Sequence, residues 1–239
     1  MKKIIMLLAL CLSVGNVFAQ DADKLRADGD AAMNAKNFAV AAEKYGQFLK
    51  LTNYEDADRV FNCGYASFQA KKYEDAVKFY DMAIKKKNNL DNAFTGKAMA
   101  LRNLDKADEF AATVTEGLKV VKNKANLEKL LYGYSMKKAQ AAQKAGKFAD
   151  AEKLYKNILG VGTASYKVNA LYSLGAMFYN SGAKLLQGAG SDSEKYAAAK
   201  VKALVEFKKA KNYLEEATKL DPKNEGVKKI LASIVETMK

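Results

Sequence analysis

The segment FKKAKNYLEEATKLDPKN, residues Phe207–Asn224, carries the clearest pattern in the chain. Its Ala210, Leu214 and Ala217 recur at intervals of four and three residues, which places them on one face of a helix. Small residues on such a face let a second, antiparallel helix approach closely, and a large residue fills the space beside them. Because Pro222 cannot continue a helix, the pattern predicts a helix that ends just before it.

The same order of small and large residues recurs in earlier segments, at successive intervals of 35, 34 and 41 residues. The matching positions are Gly29, Ala41, Tyr45 and Phe48; Gly64, Ala76, Tyr80 and Ala83; more weakly Ala98, Leu101, Phe110, Val114 and Gly117; then Ala139, Ala142, Ala151, Tyr155 and Ile158; and finally Gly175, Phe178, Ala210, Leu214 and Ala217. An aromatic residue lies three positions before four of the second-helix alanines, at Phe38, Tyr73, Phe148 and Phe207. Each helix pair would leave an apolar face that the next pair covers, so the repeats predict a stack of helix pairs.

On these residues the chain resembles the tetratricopeptide repeat (TPR) family, whose second helix carries Ala, a large apolar residue, Ala and then Pro. Two departures are the absence of the family's first-helix Trp throughout and a degenerate third unit. The resemblance implies an all-α fold, a right-handed superhelical solenoid of about five TPR helix pairs with a C-terminal capping helix. The solenoid would cover residues 20–239, in units near 22–55, 57–90, 91–124, 126–165 and 168–224, followed by the capping helix at 225–238.

Two irregularities modify the repeat. The interval of 41 residues predicts an unusually long first helix over Asn126–Lys144. The fifth unit carries an insertion at 183–205, where the first helix would continue to about Leu186, followed by a Gly/Ser-rich turn. Asp192 or Ser193 would then cap a second long helix. The insertion is either a surface loop without a role or a projecting hairpin that contacts a partner.

The N-terminal segment MKKIIMLLALCLSVGNVFAQ (Met1–Gln20) has the organisation of a secretory signal peptide. Lys2 and Lys3 precede the apolar run Ile4–Val14, and small residues precede a cleavage point after Ala19. We therefore expect a cleaved signal peptide at residues 1–19 and a periplasmic or otherwise exported protein. Loss of the two lysines lowers the formal net charge from +13 to +11.

Two alternatives for this segment are less favoured. A transmembrane anchor needs about 20 apolar residues, and this run is shorter. A lipoprotein signal needs a small residue before the lipidated cysteine, whereas Leu10 precedes Cys11. After cleavage only Cys63 would remain, which excludes an internal disulfide, and we expect its thiol to be a small core residue. No later segment is long and apolar enough to be expected to span a membrane.

Composition argues against an enzyme. The 239 residues include no His and only two Cys, which excludes a His base, a His metal ligand and a four-cysteine zinc site. The pattern of a phosphate-binding loop is absent, since Gly160-Val161-Gly162 follows a predicted helix and not a strand. Acidic residues alternate with Lys at helical spacing, as on a solvated face. We expect no catalytic site, no cofactor and no metal.

The positive charge comes from 40 Lys+Arg against 27 Asp+Glu, and only Arg26, Arg59 and Arg102 are arginines. Proteins that read nucleic acids favour Arg for bidentate contacts, and the lysines here are spread over every repeat. We therefore expect no nucleic-acid binding. Attraction of this Lys-rich surface to anionic envelope polymers or lipid head groups is the alternative function.

The resemblance implies a scaffold that holds a protein or peptide against the first helices of its units. The corresponding inward positions are Asp23, Arg26, Asp30, Met33, Phe61, Asn62, Tyr65, Phe68, Asn92, Met99, Arg102, Met136, Gln140, Gln143, Tyr172, Ala176 and Tyr179. We select ten as the candidate groove residues: Arg26, Phe61, Asn62, Tyr65, Phe68, Met99, Arg102, Gln140, Tyr172 and Tyr179. Large aromatic groups among them favour peptide contact, although some could instead pack between units.

Some TPR domains grip a C-terminal carboxylate with Lys, Asn and Arg side chains. The matching positions here hold Arg26, Asp30, Asn62, Asn92 and Gly96, and only Asn62 is a strict match. A carboxylate at Asp30 would repel the ligand, so this mode of binding is not expected.

Overall fold

The computed structural model describes residues 20–190 and 193–238. Within these ranges the chain forms helices joined by turns and loops, without a strand. The predicted all-α fold of helix pairs is confirmed. Residues 1–19, where the signal peptide is predicted, lie outside the described part. None of the described helices combines the length and the apolar character that crossing a membrane requires.

The chain divides into two compact units, Met1–Leu127 and Glu128–Lys239. In the first, α1 covers residues 20–34 of the described chain and is followed by α2 (Phe38–Leu51), α3 (Ala57–Gln69), α4 (Tyr73–Lys85), α5 (Leu90–Asn103) and α6 (Ala107–Val120). Helix α7 (Ala125–Lys144) crosses the division, and its 20 residues agree with the long helix that the interval of 41 predicts. The second unit continues with α8 (Phe148–Ile158), α9 (Ala164–Ala189), α10 (Ser193–Leu220) and α11 (Glu225–Thr237).

Glycine and tyrosine positions set the packing of the first unit. A Cβ atom on Gly29 would lie 2.6 Å from the ring of Tyr45, and one on Gly96 would lie 2.3 Å from the ring of Tyr80. Both tyrosine rings are buried. The absence of a side chain on these glycines therefore makes room for the ring, as the alternation of small and large residues predicts.

A polar cluster ties the first three helices together. The Asp30 carboxylate on α1 accepts hydrogen bonds from the Tyr45 hydroxyl on α2 and from Arg59 Nη2 on α3, both at 2.7 Å. Burial, with the bond to Asp30, raises the pKa of the Tyr45 phenol well above its ordinary value. Both oxygens of the Asp30 carboxylate are thus hydrogen-bonded within the protein.

Cys63 is fully buried on α3, in the core of the same unit. Its Sγ lies 3.5 Å from the carbonyl oxygen of Ala42 on α2. Burial raises the pKa of the thiol to about 12. A protonated, enclosed thiol is a poor nucleophile, so Cys63 acts as the small core residue that the sequence predicts.

The Asp91 side chain binds the backbone of the loop between α6 and α7. One oxygen of the Asp91 carboxylate accepts the backbone N–H of Lys122 and the other accepts that of Asn123, each at 3.0 Å. These bonds, with that of Asn123 the stronger influence, hold the pKa of Asp91 below its ordinary value. The side chain, on the first turn of α5, thereby holds a loop about 31 residues further along the chain.

The second unit is built around the long α9–α10 hairpin. A Cβ on Gly175 would lie 2.4 Å from Leu214, and one on Gly182 would lie 2.7 Å from Phe207, so α9 and α10 approach closely. Leu214 and Phe207 are both buried. Helix α9 extends to Ala189, past the predicted end at about Leu186.

Two acidic side chains join distant parts of this unit. Glu128 on α7 is buried and accepts hydrogen bonds from the Gly162 backbone N–H and the Thr163 hydroxyl, in the loop before α9. Glu152 on α8 accepts a hydrogen bond from the Tyr213 hydroxyl on α10 at 3.0 Å. Burial alone would raise the pKa of Glu152, but the bonds from Lys156 and Tyr213 outweigh it and hold that pKa below its ordinary value.

Helix α11 lies where the terminal capping helix is predicted. Its Val227 and Ile234 are buried against the core of the second unit. Asn224 caps its first turn by accepting the backbone N–H of Val227 at 3.1 Å. An apolar face on the last hairpin is thereby covered, as repeat proteins require at their ends.

Candidate functional site

The described residues contain no group of three or more Cys, Asp or Glu side chains placed to hold a metal ion. Their acidic side chains are mostly used within the protein. Asp81, for example, pairs with Lys85 and Lys97 at 2.8 Å each. Such ion pairs hold neighbouring helices together.

Three of the ten candidate groove residues are exposed on the first helices of the first unit: Arg26 on α1, Tyr65 on α3 and Arg102 on α5. Tyr65 is 39% exposed, and its ring forms a T-shaped contact with the Phe38 ring, 5.9 Å between centroids. Arg26 forms an ion pair with Asp23 at 3.1 Å on the surface of α1. These side chains have polar or aromatic groups available to a partner.

Four candidates of the first unit are half-buried: Phe61, Asn62, Phe68 and Met99. Phe61 packs against Tyr80 with 5.8 Å between ring centroids, and Phe68 packs against Tyr73 at 5.6 Å. Both rings therefore serve the helix packing, which is the alternative that the sequence left open for its aromatic candidates.

The second unit contains the remaining candidates, Gln140 on α7 and two tyrosines on α9. Gln140 is exposed. Tyr172 is 38% exposed and lies beside the start of α11, where a Cβ on Gly226 would come within 3.1 Å of its ring. Tyr179 is half-buried and packs against Phe207 with 5.7 Å between centroids. Tyr172 is thus the exposed aromatic candidate of the two on this helix.

One residue outside the candidate set, Phe148, shares a feature with the exposed tyrosines. In two other repeats the aromatic residue at this position packs on a ring from the preceding first helix, as Tyr73 does on Phe68 and Phe207 on Tyr179. The corresponding residue before Phe148 is Gln143, whose side chain instead accepts a hydrogen bond from the Tyr155 hydroxyl at 3.1 Å. Phe148 is 46% exposed. The polar Gln143 was the signal in the sequence that could have identified it.

The comparisons with known proteins point to one family. The family model described as tetratricopeptide repeat matches residues 26–91 and 136–201. A crystal structure of a TPR protein from Bacteroides fragilis is similar at 43% sequence identity, with a TM-score of 0.79, and the match covers 90% of this chain and 98% of that one. No curated protein matches the chain.

Two more distant structures are also similar. The TPR domain of P58(IPK) is 15% identical, with a TM-score of 0.47, over 95% of this chain and 68% of that one. A TPR protein from Parabacteroides merdae is 13% identical, with a TM-score of 0.43, over 92% of this chain and all of the other.

Proposed function

Since the chain belongs to the tetratricopeptide repeat family, we propose that it is an exported scaffold of the bacterial cell envelope that binds a protein or peptide through its first helices. Proteins of this family are in general scaffolds for protein–protein interaction, and the family match indicates no enzyme class. The proposal assigns the contact to the candidate groove residues that remain exposed, with Tyr65 and Tyr172 as anchors.

The exposure of these two tyrosines is the observation that supports the proposal most directly. Each leaves more than a third of its side chain in solvent, on a helix whose neighbouring aromatic residues are packed away. Tyrosine supplies a large contact area with few rotatable bonds, and it is enriched among the residues that dominate binding energies. The exposed Arg26 and Arg102 add hydrogen-bond donors on other first helices of the same unit as Tyr65.

The test compares the wild-type protein with the double variant Tyr65→Ala, Tyr172→Ala. Each protein is immobilised and incubated with an envelope extract of the host. We expect the double variant to lose proteins that the wild type retains, because truncation of such an anchor weakens binding roughly tenfold or more. The matched control is Tyr196→Ala, which removes another tyrosine with 43% exposure, on α10 and outside the groove set. Identical sets of bound proteins for wild type and double variant would contradict the groove proposal.

The competing hypothesis is binding of anionic polymer or lipid through the lysines. Several of these lysines already pair with acidic neighbours three or four residues away, such as Lys156 with Glu152 and Lys228 with Glu225. Such pairs reduce the positive potential that a polyanion would meet. Retention of polysaccharide or anionic lipid that is unaffected by both tyrosine variants, and that falls steeply with salt, would favour this hypothesis.

A further inference from the structure

We propose that the second unit carries a second binding site, an elongated apolar cavity beside Phe148 with a lysine rim, and that it takes an acidic peptide segment with an apolar side chain at its centre. The cavity has a volume of about 530 Å³ and lies between the outer ends of α9 and α10, next to the start of α8. None of its lining residues belongs to the ten groove candidates, so the site goes beyond the proposed function.

Phe148 is available because its repeat lacks the aromatic partner that two other repeats have. Tyr73 packs on Phe68, and Phe207 packs on Tyr179. In the repeat of Phe148 the corresponding position holds Gln143. The ring consequently remains 46% exposed at the first residue of α8. An exposed aromatic side chain is common on protein surfaces by itself, but this one forms a wall of the cavity together with Leu185, Ala198 and Ala199.

The shape of the cavity suits a short extended peptide. Along α9 its lining runs from Ser181 to Ala189, and along α10 from Lys195 to Lys202. At 1.5 Å per residue these stretches are about 12 Å and 10 Å long. An extended chain advances about 3.3 Å per residue, so three to four peptide residues would span the cavity, with one apolar side chain directed at Phe148.

The charge of the cavity selects an acidic ligand. Among the described residues that line it, Lys184, Lys195 and Lys202 are the charged ones, and none is Asp or Glu. Lys184 and Lys202 are exposed, and within the described chain neither forms an ion pair. Carboxylates on either side of an apolar anchor would therefore meet unneutralised ammonium groups, whereas a basic peptide would be repelled.

Two further cavities adjoin Phe148, one with an additional lysine and one with two glutamates. A neighbouring cavity of about 550 Å³ is lined by Phe148 with Gln140, Gln143 and Lys144, which adds another lysine. A smaller one of about 240 Å³ includes Glu152 and Glu206, and Glu206 pairs with Lys209. An acidic peptide is thus favoured on the side of Lys184 and Lys202, where the described lining residues carry no carboxylate.

The experiment titrates the protein from Gln20 onwards into a fluorescently labelled peptide and measures the anisotropy of the label. The peptide contains Phe and Leu, flanked on each side by two Glu. We expect saturable binding that Lys184→Glu combined with Lys202→Glu weakens roughly tenfold or more, because attraction becomes repulsion at two positions. Gln143→Phe should also weaken binding several-fold, since it gives Phe148 the aromatic partner found in other repeats and covers its ring. Because this variant also removes the acceptor of the Tyr155 hydroxyl bond, circular dichroism compares its helix content with that of the wild type.

The matched control is Lys200→Glu combined with Lys208→Glu, which makes the same charge change on exposed positions of α10 outside the cavity. It should change affinity less than about twofold, within the range of exposed ion pairs. Absence of binding, or an equal loss in the control, would overturn the proposal. So would loss of binding with Tyr65→Ala and Tyr172→Ala but not with the cavity variants, which would place the peptide in the groove. Binding of phosphatidylglycerol vesicles without binding of the peptide would also overturn it.

Discussion

Single residues determine how closely the helices of this protein approach one another. Gly29 and Gly96 each face a buried tyrosine ring at a distance that leaves no room for a Cβ. Tyr45 has little freedom to move away from Gly29, because its hydroxyl is bound to Asp30. This pairing was predictable from sequence, since glycine and a large residue recur at matching repeat positions. The Asp30–Arg59 bond was not, because those residues are 29 positions apart and follow no repeat pattern.

Gly29→Ala should therefore destabilise the first unit. Alanine favours a helix over glycine by up to about 1 kcal/mol, but overpacking a core costs about 1–3 kcal/mol, so we expect a net loss of about 1–2 kcal/mol. Urea unfolding followed by circular dichroism measures it. The control is Gly46→Ala on α2, where nothing lies within 4 Å of the added Cβ; this variant should be as stable as the wild type or more stable. Equal stability of the two variants would contradict the packing argument.

The bounds of the helices and the contacts of their connecting loops were only partly predictable from the sequence. The long α7 and the terminal α11 were predictable from the repeat interval and the helical spacing of apolar residues. The exact end of α9 was not, since the glycines after Leu186 suggest a turn whereas the helix continues to Ala189. The loops are held by side chains from other helices, Asp91 and Glu128 among them, and sequence alone does not reveal such partners.

The bond of Asp91 to the α6–α7 connection predicts a pH-dependent contribution to stability. Its pKa is lower in the folded chain than in the unfolded one, where it is about 3.9. The contribution is therefore fully present above about pH 4 and is lost as the pH falls through the folded pKa. Asp91→Asn should lower the urea midpoint at neutral pH, and its difference from wild type should shrink in acid.

Glu116→Gln is a suitable control for this measurement. Glu116 is an exposed carboxylate on α6, and its replacement should leave the urea midpoint nearly unchanged at both pH values. A difference between Asp91→Asn and wild type that stays constant from neutral pH to acid would show that the charge of Asp91 does not strengthen these bonds.

The molecule as a whole shows where sequence reasoning about the site was sufficient and where it was not. Repeat position predicted which residues lie on first helices, but exposure depends on neighbours, and Phe61, Phe68 and Tyr179 are partly covered by rings of adjacent helices. Phe148 was recognised as a repeat position, yet its exposure follows from Gln143 in place of an aromatic residue. Whether an aromatic side chain of this chain is exposed thus depends on the residue at its neighbouring repeat position as well as on its own position.

The proposed export concerns the whole chain, and it predicts a defined processing product. Protein isolated from the envelope fraction of its host should begin at Gln20, with a mass lower than that of the full chain by residues 1–19. N-terminal sequencing with intact mass spectrometry measures this. A chain that retains Met1 and stays in the cytoplasmic fraction would exclude the signal peptide, whereas a lipid-modified Cys11 would indicate the lipoprotein alternative.

The α9–α10 hairpin also bears on how quickly each unit can fold. In the first unit the hydrogen bonds described above span 15 to 32 positions, from Tyr45 with Asp30 to Asn123 with Asp91. The inserted hairpin moves α10 far from α8, so that the bond between Tyr213 and Glu152 closes a loop of 61 residues. Because folding slows as contacts become more distant in sequence, the first unit should acquire its structure earlier than the second. A chain that emerges N-terminus first would then complete its faster-folding unit while the slower one is still being delivered.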